Sequence, residues 1–283
     1  MKPKIALALV LVVPALALVV AGLVSKRAAV RYASAAQDRP PAAGAQRVPV
    51  LVELFTSEGC SSCPPADELL TRLEQTQPVD GAEVIALSEH VDYWNRLGWT
   101  DPYSSSEFSA RQNDYARAFD TDTDGVYTPQ MIVDGRAQFV GSDSGRARKA
   151  IANASRDSKA AVTVSLASDD ARGGSITLDV RAERPQSVSE GDSAEVLLAI
   201  TESGLRSSVS RGENAGRRLS HTAVVRKLTA LGSVDSQGGA QFVAKPVVQI
   251  PRGWKRDSLK AVVFVQERTS RRVLGVAATP LGK

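Results

Sequence analysis

Residue types that build metal sites and nucleic-acid surfaces are scarce in this sequence. Only two cysteines and two histidines occur in 283 residues, which argues against a zinc site made from two cysteine pairs. Lysine and arginine total 35 against 31 acidic residues, yet no long basic run appears. Because phosphate binding needs a concentrated basic patch, we expect no nucleic-acid partner.

The chain is long and apolar enough to fold, and its length favours two domains. Hydrophobic residues make up 43% of it, which excludes a wholly disordered protein. A chain of this size can bury a large core. We predict a signal peptide or membrane anchor over residues 1–24, a linker over 25–46, and domains over 47–156 and 157–283.

The first segment predicts export. Lys2 and Lys4 precede an uncharged apolar run from Ile5 to Val24, long enough to span a bilayer as a helix. Small residues at 33–35 resemble a cleavage site, although basic residues lie between the two. A cleaved signal and an uncleaved anchor both stay open. Either places the following residues in the periplasm or another extracytoplasmic space, anchored or secreted.

Residues 47–156 alternate between strand and helix patterns, which is typical of an α/β sheet of mixed direction. An Asp134-Gly135 pair predicts a hairpin turn between the last two strands. The strands are predicted at 48–55, 83–88, 130–133 and 137–140, and the helices at 66–73, 104–119 and 144–155.

Residues 157–283 contain strand patterns alone. Apolar residues alternate at Ile176, Leu178 and Val180, as in a half-buried strand. Seven short strands separated by glycine- and serine-rich turns favour a β-sandwich-like domain. They are predicted at 161–167, 175–182, 194–201, 222–230, 240–250, 259–266 and 272–277.

Cys60-Ser61-Ser62-Cys63 forms a C-x-x-C pair between a predicted strand and a predicted helix. Unpaired N–H groups and the dipole at a helix start stabilise a thiolate. We therefore expect Cys60 to be the low-pKa nucleophile and Cys63 the buried resolving thiol. A purely structural disulfide remains an alternative, although so short a loop adds little stability through the unfolded chain.

Two residues outside the pair have predicted catalytic roles. Pro129 follows Thr128 directly before a strand, where thioredoxin-like folds place a cis-proline against the disulfide; a trans-proline is the alternative. Glu53 lies in an apolar strand, so burial would raise its pKa and allow it to pass a proton to the buried thiol. Its alternative is an outward-facing position on an edge strand.

The loop after the second predicted strand groups His90 with Trp94 and Trp99. Strand ends line the functional crevice of an open α/β sheet. We expect the two tryptophans and Thr128 to bind a partner peptide, unless the loop simply pins itself onto the core. His90 is a candidate base or metal ligand. His221 and its arginine-rich loop are a weaker candidate for binding an anion.

These residues belong to a stretch, Val50 to Asp143, that resembles a family of secreted proteins with a thioredoxin-like fold, known as domain of unknown function 1223. The resemblance implies the fold, export and the paired cysteines, but no established substrate. The segments that carry it are 53–67, 90–94, 97–99, 101–102 and 127–130, followed by 211–217 and His221.

We therefore predict an α/β thioredoxin-like domain followed by an all-β sandwich-like domain, acting as a thiol-disulfide oxidoreductase. The disulfide itself is the redox group, so no cofactor is expected, and the partner is a protein or small thiol or disulfide. One alternative is a copper-binding assembly factor that uses Cys60, Cys63 and His90. Another is a non-catalytic binding or scaffold module.

Overall fold

The computed structural model describes residues 47–119, 125–170, 174–234 and 241–282. Three α-helices lie in these ranges: α1, Pro64–Thr76; α2, Ser106–Ala118; and α3, Ser144–Ala154. The strands are β1, Val48–Thr56; β2, Ala82–His90; β3, Gln130–Val133; β4, Ala137–Val140; β5, Val162–Asp170; β6, Ser175–Glu183; β7, Ala194–Glu202; β8, Leu205–Ser208; β9, Arg218–His221; β10, Val224–Val234; β11, Gln241–Ala244; β12, Val247–Gln249; β13, Leu259–Glu267; and β14, Val273–Pro280.

Local sequence signals account for the ends of the helices. Prolines occupy the first turn of α1, where their missing N–H groups cost least. Its last turn closes on Gln77, which adopts a left-handed conformation. The side chains of Ser105 and Asp143 accept hydrogen bonds from the first turns of α2 and α3.

Eight strands form one mixed sheet in the order β14-β13-β7-β10-β2-β1-β3-β4. β1 and β2 run parallel along their whole length, while β3 pairs antiparallel to β1. β10 joins parallel to β2 through Val224 opposite Ser88. Four of the strands that follow residue 157, namely β7, β10, β13 and β14, therefore extend the sheet begun by β1–β4.

Both faces of the large sheet are covered. On one face, α1 and α3 pack against β1, whose Val50, Val52 and Leu54 enter that core. On the same face, the small sheet of β5, β6, β11 and β12 packs against β7 and β13. The opposite face carries α2, with Leu51 and Phe108 in its core. Alternation along β1 thus sends neighbouring residues into different cores.

The predicted fold class, an α/β thioredoxin-like domain followed by a separate all-β sandwich-like domain, is wrong. The described part of the chain is mostly β, and its large sheet takes strands from both sides of residue 157. The prediction failed because it rested on local patterns, whereas the pairing of β10 with β2 joins distant segments. The expected boundary falls between α3 and β5, and the domain limits themselves stay a prediction.

Most individual elements were predicted correctly, with two exceptions. The strand expected over 240–250 is two strands, β11 and β12, and the hairpin of β8 and β9 was not predicted. Within the ranges described above, no helix is long and apolar enough to cross a membrane. The apolar run Ile5 to Val24 and the linker over 25–46 lie outside those ranges.

Candidate functional site around the cysteine pair

Cys60 and Cys63 form a disulfide at the start of α1, with their Cα atoms 5.4 Å apart. Cys63 is the residue that caps the helix, and its carbonyl oxygen accepts hydrogen bonds from Ala66 and Asp67 at 2.8 and 3.1 Å. The predicted position of the pair is confirmed. Both cysteines are fully buried, with 0% exposure, whereas Ser61 and Ser62 between them are exposed.

The segment 209–217, between β8 and β9, lies over the cysteine loop; we call it the covering segment. Asn214 Nδ2 donates hydrogen bonds to the carbonyl oxygens of Glu58 and Cys60, both at 2.9 Å. The backbone N–H of Ser61 donates to Glu213 Oε2 at 3.0 Å. Residues more than 150 positions away along the chain therefore help to bury the disulfide.

The two tryptophans of the predicted substrate wall lie beside the cysteine loop and are half-buried. Trp99 Nε1 donates to Glu58 Oε2, and Trp94 Nε1 donates to Thr128 Oγ1, both at 2.8 Å. A Cβ atom at Gly59 would lie 3.0 Å from the Cβ atom of Trp94. The structure brings these residues together as predicted, and their role in binding a substrate stays a prediction.

The peptide bond between Thr128 and Pro129 is cis, which confirms that part of the sequence prediction. Pro129 is buried and accepts a hydrogen bond from the backbone N–H of Gly141 at 2.8 Å. A Cβ atom on Gly141 would lie 3.1 Å from both Pro129 and Ala66. Pro129 therefore lies close to the first turn of α1, and its predicted role in shaping a substrate site stays a prediction.

Behind the cysteine loop, at the carboxyl ends of β1 and β2, lies a group that we call the histidine cluster. His90 Nδ1 bonds to Asp101 Oδ2 at 2.7 Å, and His221 Nε2 bonds to Glu58 Oε1 at 2.9 Å. The two imidazole rings meet edge to face, 4.8 Å apart. The histidine cluster consists of Glu58, Asp67, His90, Asp101 and His221.

Two carboxyl groups of the histidine cluster have pKa values shifted in opposite directions. Burial raises the pKa of Asp67 to about 7, since the opposing effects of His221 and the nearby Thr56 hydroxyl are smaller. Burial also favours the neutral form of Asp101, but the His90 imidazole and backbone N–H groups outweigh it and lower its pKa. Asp67 therefore changes charge near neutral pH.

Glu53 is buried as predicted, but it belongs to a different group, which we call the arginine cluster. Arg111 Nε and Nη2 donate to Glu53 Oε1 at 2.8 and 2.6 Å, and the Tyr115 hydroxyl donates to Glu53 Oε2. Arg111 also forms an ion pair with Glu89 at 3.2 Å and donates to Gln266 at 3.0 Å. The arginine cluster consists of Glu53, Glu89, Arg111, Tyr115 and Gln266.

Strand alternation explains why Glu53 lies away from the cysteine helix. Its neighbours Val52 and Leu54 enter the core beneath α1, so Glu53 faces α2, which carries Arg111. The hydrogen bonds that its carboxylate forms with the described residues all stay within the arginine cluster. The predicted transfer of a proton from Glu53 to a thiol remains a prediction without a contact to support it.

The copper-binding alternative gains no support. In the part of the chain that the structure describes, no group of three or more His, Cys, Asp or Glu residues is arranged to hold a metal ion. His90, the candidate metal ligand, bonds to Asp101, and Cys60 and Cys63 are joined in the disulfide.

The meeting of Asp67, Glu58 and Asp101 in one cluster was not predicted from the sequence, and His221 was predicted only as a weaker candidate for binding an anion. His221 reaches Glu58 across 163 positions, a distance that no local pattern spans. One usable signal existed. The chain has only two histidines, and both occur in segments quoted for the family resemblance.

The fold and site together define a mixed-sheet protein whose buried disulfide begins a helix beside a histidine–carboxylate cluster. The sequence profile of a family described as protein of unknown function, DUF1223, matches residues 51–266. The chain belongs to this family.

Two of the solved structures that are similar to this chain cover most of it. One is the crystal structure of a protein from Agrobacterium tumefaciens, with 29% identity and a TM-score of 0.59, covering 83% of this chain and 95% of that one. The other is HBP35 of Porphyromonas gingivalis, with 14% identity and a TM-score of 0.59, covering 83% and 76%. At 14% identity the likeness shows a shared fold alone. No curated protein matches this chain.

Proposed function

We propose that this protein performs thiol–disulfide exchange through Cys60 and Cys63 outside the cytoplasm. The observation that carries the proposal is the position of the disulfide. It begins α1, where unpaired N–H groups stabilise a sulfur that leaves as a thiolate. The tryptophan-lined loop and the histidine cluster lie against the same turn.

In the proposed reaction, an external thiolate attacks the Cys60 sulfur and breaks the Cys60–Cys63 bond. Cys63 leaves with the electron pair, and a mixed disulfide forms between Cys60 and the external thiol. A second external thiolate attacks the external sulfur of that mixed disulfide and releases Cys60. Two thiols become one disulfide, and the cysteine pair gains two electrons. The reverse sequence oxidises a partner dithiol.

Cys60 is the proposed point of attack because it lies at the loop side of the pair, before the exposed Ser61 and Ser62. Cys63 is held within the first helical turn by the hydrogen bonds to its carbonyl oxygen. Since both sulfurs are buried, the covering segment has to move before a thiol can reach Cys60. The hydrogen bonds of Asn214 and Glu213 are the contacts that such a movement breaks.

The proposed location rests on the sequence together with the disulfide. Disulfides persist in oxidising compartments, and the apolar run after Lys2 and Lys4 is typical of exported proteins. The proposed partner is a protein or small molecule that carries a thiol or a disulfide, with Trp94, Trp99 and Thr128 forming the surface beside it.

The test is the rate at which glutathione and dithiothreitol open the disulfide in the folded, full-length protein. The fluorescence of Trp94 and Trp99 reports the opening, and labelling of the freed thiols confirms it. We expect opening without unfolding, and a return to the disulfide when the oxidised form of the same reagent is added. If the disulfide opens only in denaturant, its role is structural and the proposed exchange is wrong.

A further inference from the structure

Several buried polar atoms beside the disulfide lack a hydrogen-bond partner among the described residues. Such atoms are costly to bury, so each one calls for an explanation. The residues that carry them are between 0 and 7% exposed. The atoms are Thr56 Oγ1, Asp67 Oδ1, His90 Nε2 and His221 Nδ1.

These atoms belong to one small region of the structure. The rings of His90 and His221 are 4.8 Å apart, and each uses its other nitrogen to bind a carboxylate. Asp67 interacts electrostatically with His221 and lies near the Thr56 hydroxyl. The remaining charges that act on Asp67 are those of Asp101 and Glu58. Two imidazole nitrogens without a described partner thus share this region with a carboxyl group whose pKa is raised by burial to about 7.

This region adjoins the disulfide along the first turn of α1. Asp67 lies four residues after Cys63, and residues four apart on a helix are neighbours on the same face, about 5–6 Å apart at Cβ. Helical side chains also tilt toward the N-terminus of the helix. Asp67 therefore lies on the same face of α1 as Cys63, with its side chain tilted toward Cys63, and it is buried there.

We infer that Asp67, supported by His221 and His90, takes up a proton when the Cys60–Cys63 disulfide is opened. The inference rests on the proposed function and assigns the proton acceptor for that reaction. It replaces Glu53 with a residue on the cysteine helix itself.

The protons and electrons balance as follows. An external dithiol gives two electrons to the disulfide and loses two protons as its own sulfur–sulfur bond forms. One proton binds to a sulfur of the cysteine pair, and the other binds to Asp67, so one cysteine remains a thiolate. Burial has already raised the pKa of Asp67 to about 7, and a thiolate one turn away raises it further.

The alternative to proton binding is that the imidazoles of His90 and His221 bind a metal ion. Imidazoles that bind a carboxylate through one nitrogen commonly bind a metal through the other. However, no described group of three or more potential ligands is arranged around a common point. A shared proton needs only neighbouring groups, so the geometry favours proton binding.

The test is the infrared difference spectrum between the oxidised and reduced full-length protein at slightly alkaline pH, with a phosphine as reductant. We expect reduction to produce the carbonyl band of a protonated carboxyl group. The band should be lost in Asp67→Asn and retained in Asp143→Asn, a matched control at the exposed start of α3. Proton uptake per disulfide should fall by about one in Asp67→Asn alone.

A measurement on the wild type covers the case in which Asp67→Asn fails to fold. Isotopically labelled aspartate should shift the band, whereas labelled glutamate should not. A band that follows glutamate, or that persists in Asp67→Asn, would overturn the inference. So would tight binding of Zn²⁺ that is lost in His221→Ala, because the region would then be a metal site.

The outcomes also separate this inference from the proposed function. A disulfide that the phosphine opens but dithiols do not would refute thiol exchange, and the infrared band would still decide the role of Asp67. If both reductants open it and no band appears, thiol exchange stands and the inference fails. A folded protein that neither reductant can open would contradict both.

Discussion

The histidine cluster and the arginine cluster are both buried against β1 and β2, yet their charges are balanced in different ways. Arg111 provides a permanent positive charge beside Glu53 and Glu89. In the histidine cluster, imidazoles rather than a guanidinium bind the carboxylates of Asp101 and Glu58.

The difference shows which buried network can take part in chemistry. A guanidinium stays protonated at any physiological pH, so Arg111 keeps its positive charge where it joins α2 to β1, β2 and β13. The histidine cluster contains Asp67, which changes charge near neutral pH, and it lies beside the disulfide. Glu53 was chosen because its carboxylate was expected to be buried. Burial alone does not distinguish a carboxylate paired with a permanent cation from one that changes charge near neutral pH.

The largest expected effect comes from removing the permanent charge of the arginine cluster. Arg111→Met leaves Glu53 and Glu89 buried without the cation that contacts both. We expect the free energy of unfolding to fall by about 3–5 kcal/mol, measured by urea denaturation. Arg148→Met, an exposed arginine on α3, is the control. An equal decrease in the free energy of unfolding of the two variants would show that the arginine cluster does not stabilise the fold.

The next effect is a pH dependence specific to the histidine cluster. The pKa of Asp67 is about 7 in the folded protein against an ordinary 3.8. The folded state therefore binds more protons between these values, and the free energy of unfolding falls as pH rises through that window. Asp67→Asn removes this fall. Its stability relative to wild type should rise between those pH values, by at most about 4 kcal/mol.

Denaturation of both proteins across that pH range is the measurement, and Asp143→Asn is the matched control. Parallel pH profiles for Asp67→Asn and wild type would contradict the assignment of a raised pKa to Asp67.

A smaller effect is expected at the covering segment. Asn214→Ala removes two hydrogen bonds to the buried carbonyl groups of Glu58 and Cys60, so we expect a loss of about 1–3 kcal/mol in the free energy of unfolding. The disulfide should also be reduced faster by glutathione. Ser210→Ala, an exposed change in the same segment, should alter neither quantity. Unchanged reduction in Asn214→Ala would show that the covering segment does not limit access.

The smallest effect concerns Ser105, which lies between the histidine cluster and the helix α2 of the arginine cluster. Its hydroxyl caps α2, and its backbone N–H donates to the carbonyl oxygen of His90 at 3.0 Å. Ser105→Ala should cost about 1 kcal/mol in thermal or urea unfolding and leave the rate of thiol exchange unchanged. Ser106→Ala, at the next and exposed position, should cost less. A change in exchange rate in Ser105→Ala would show that the cap also supports the histidine cluster.

Sequence reasoning predicted features that depend on neighbouring residues. The strand Gln130–Val133 was predicted with its observed limits, because its apolar residues lie between clear turn signals. The cysteine pair at the start of α1 and the cis bond before Pro129 were also predicted correctly. The strand and the position of the cysteine pair are determined within a few residues along the chain, whereas the cis bond was predicted from its placement in thioredoxin-like folds.

Features that depend on pairing between distant segments could not be predicted from the sequence. The bridge from Val224 to Ser88 joins the two halves of the chain into one sheet, and no periodicity indicates it. The hydrogen bond between His221 and Glu58 likewise joins distant segments. The burial of Glu53 was predicted, but its contact with Arg111 was not, because apolar neighbours do not indicate which face of the sheet a side chain occupies.

The central claim, that Cys60 exchanges disulfides with an external thiol, is tested most directly by trapping the mixed disulfide. Cys63→Ser leaves Cys60 without its partner, so a mixed disulfide with glutathione should accumulate and be visible by mass spectrometry of the folded protein. Cys60→Ser, which keeps Cys63 within the helix, should form far less of it. Equal trapping in both variants, or none in either while both remain folded, would contradict the account.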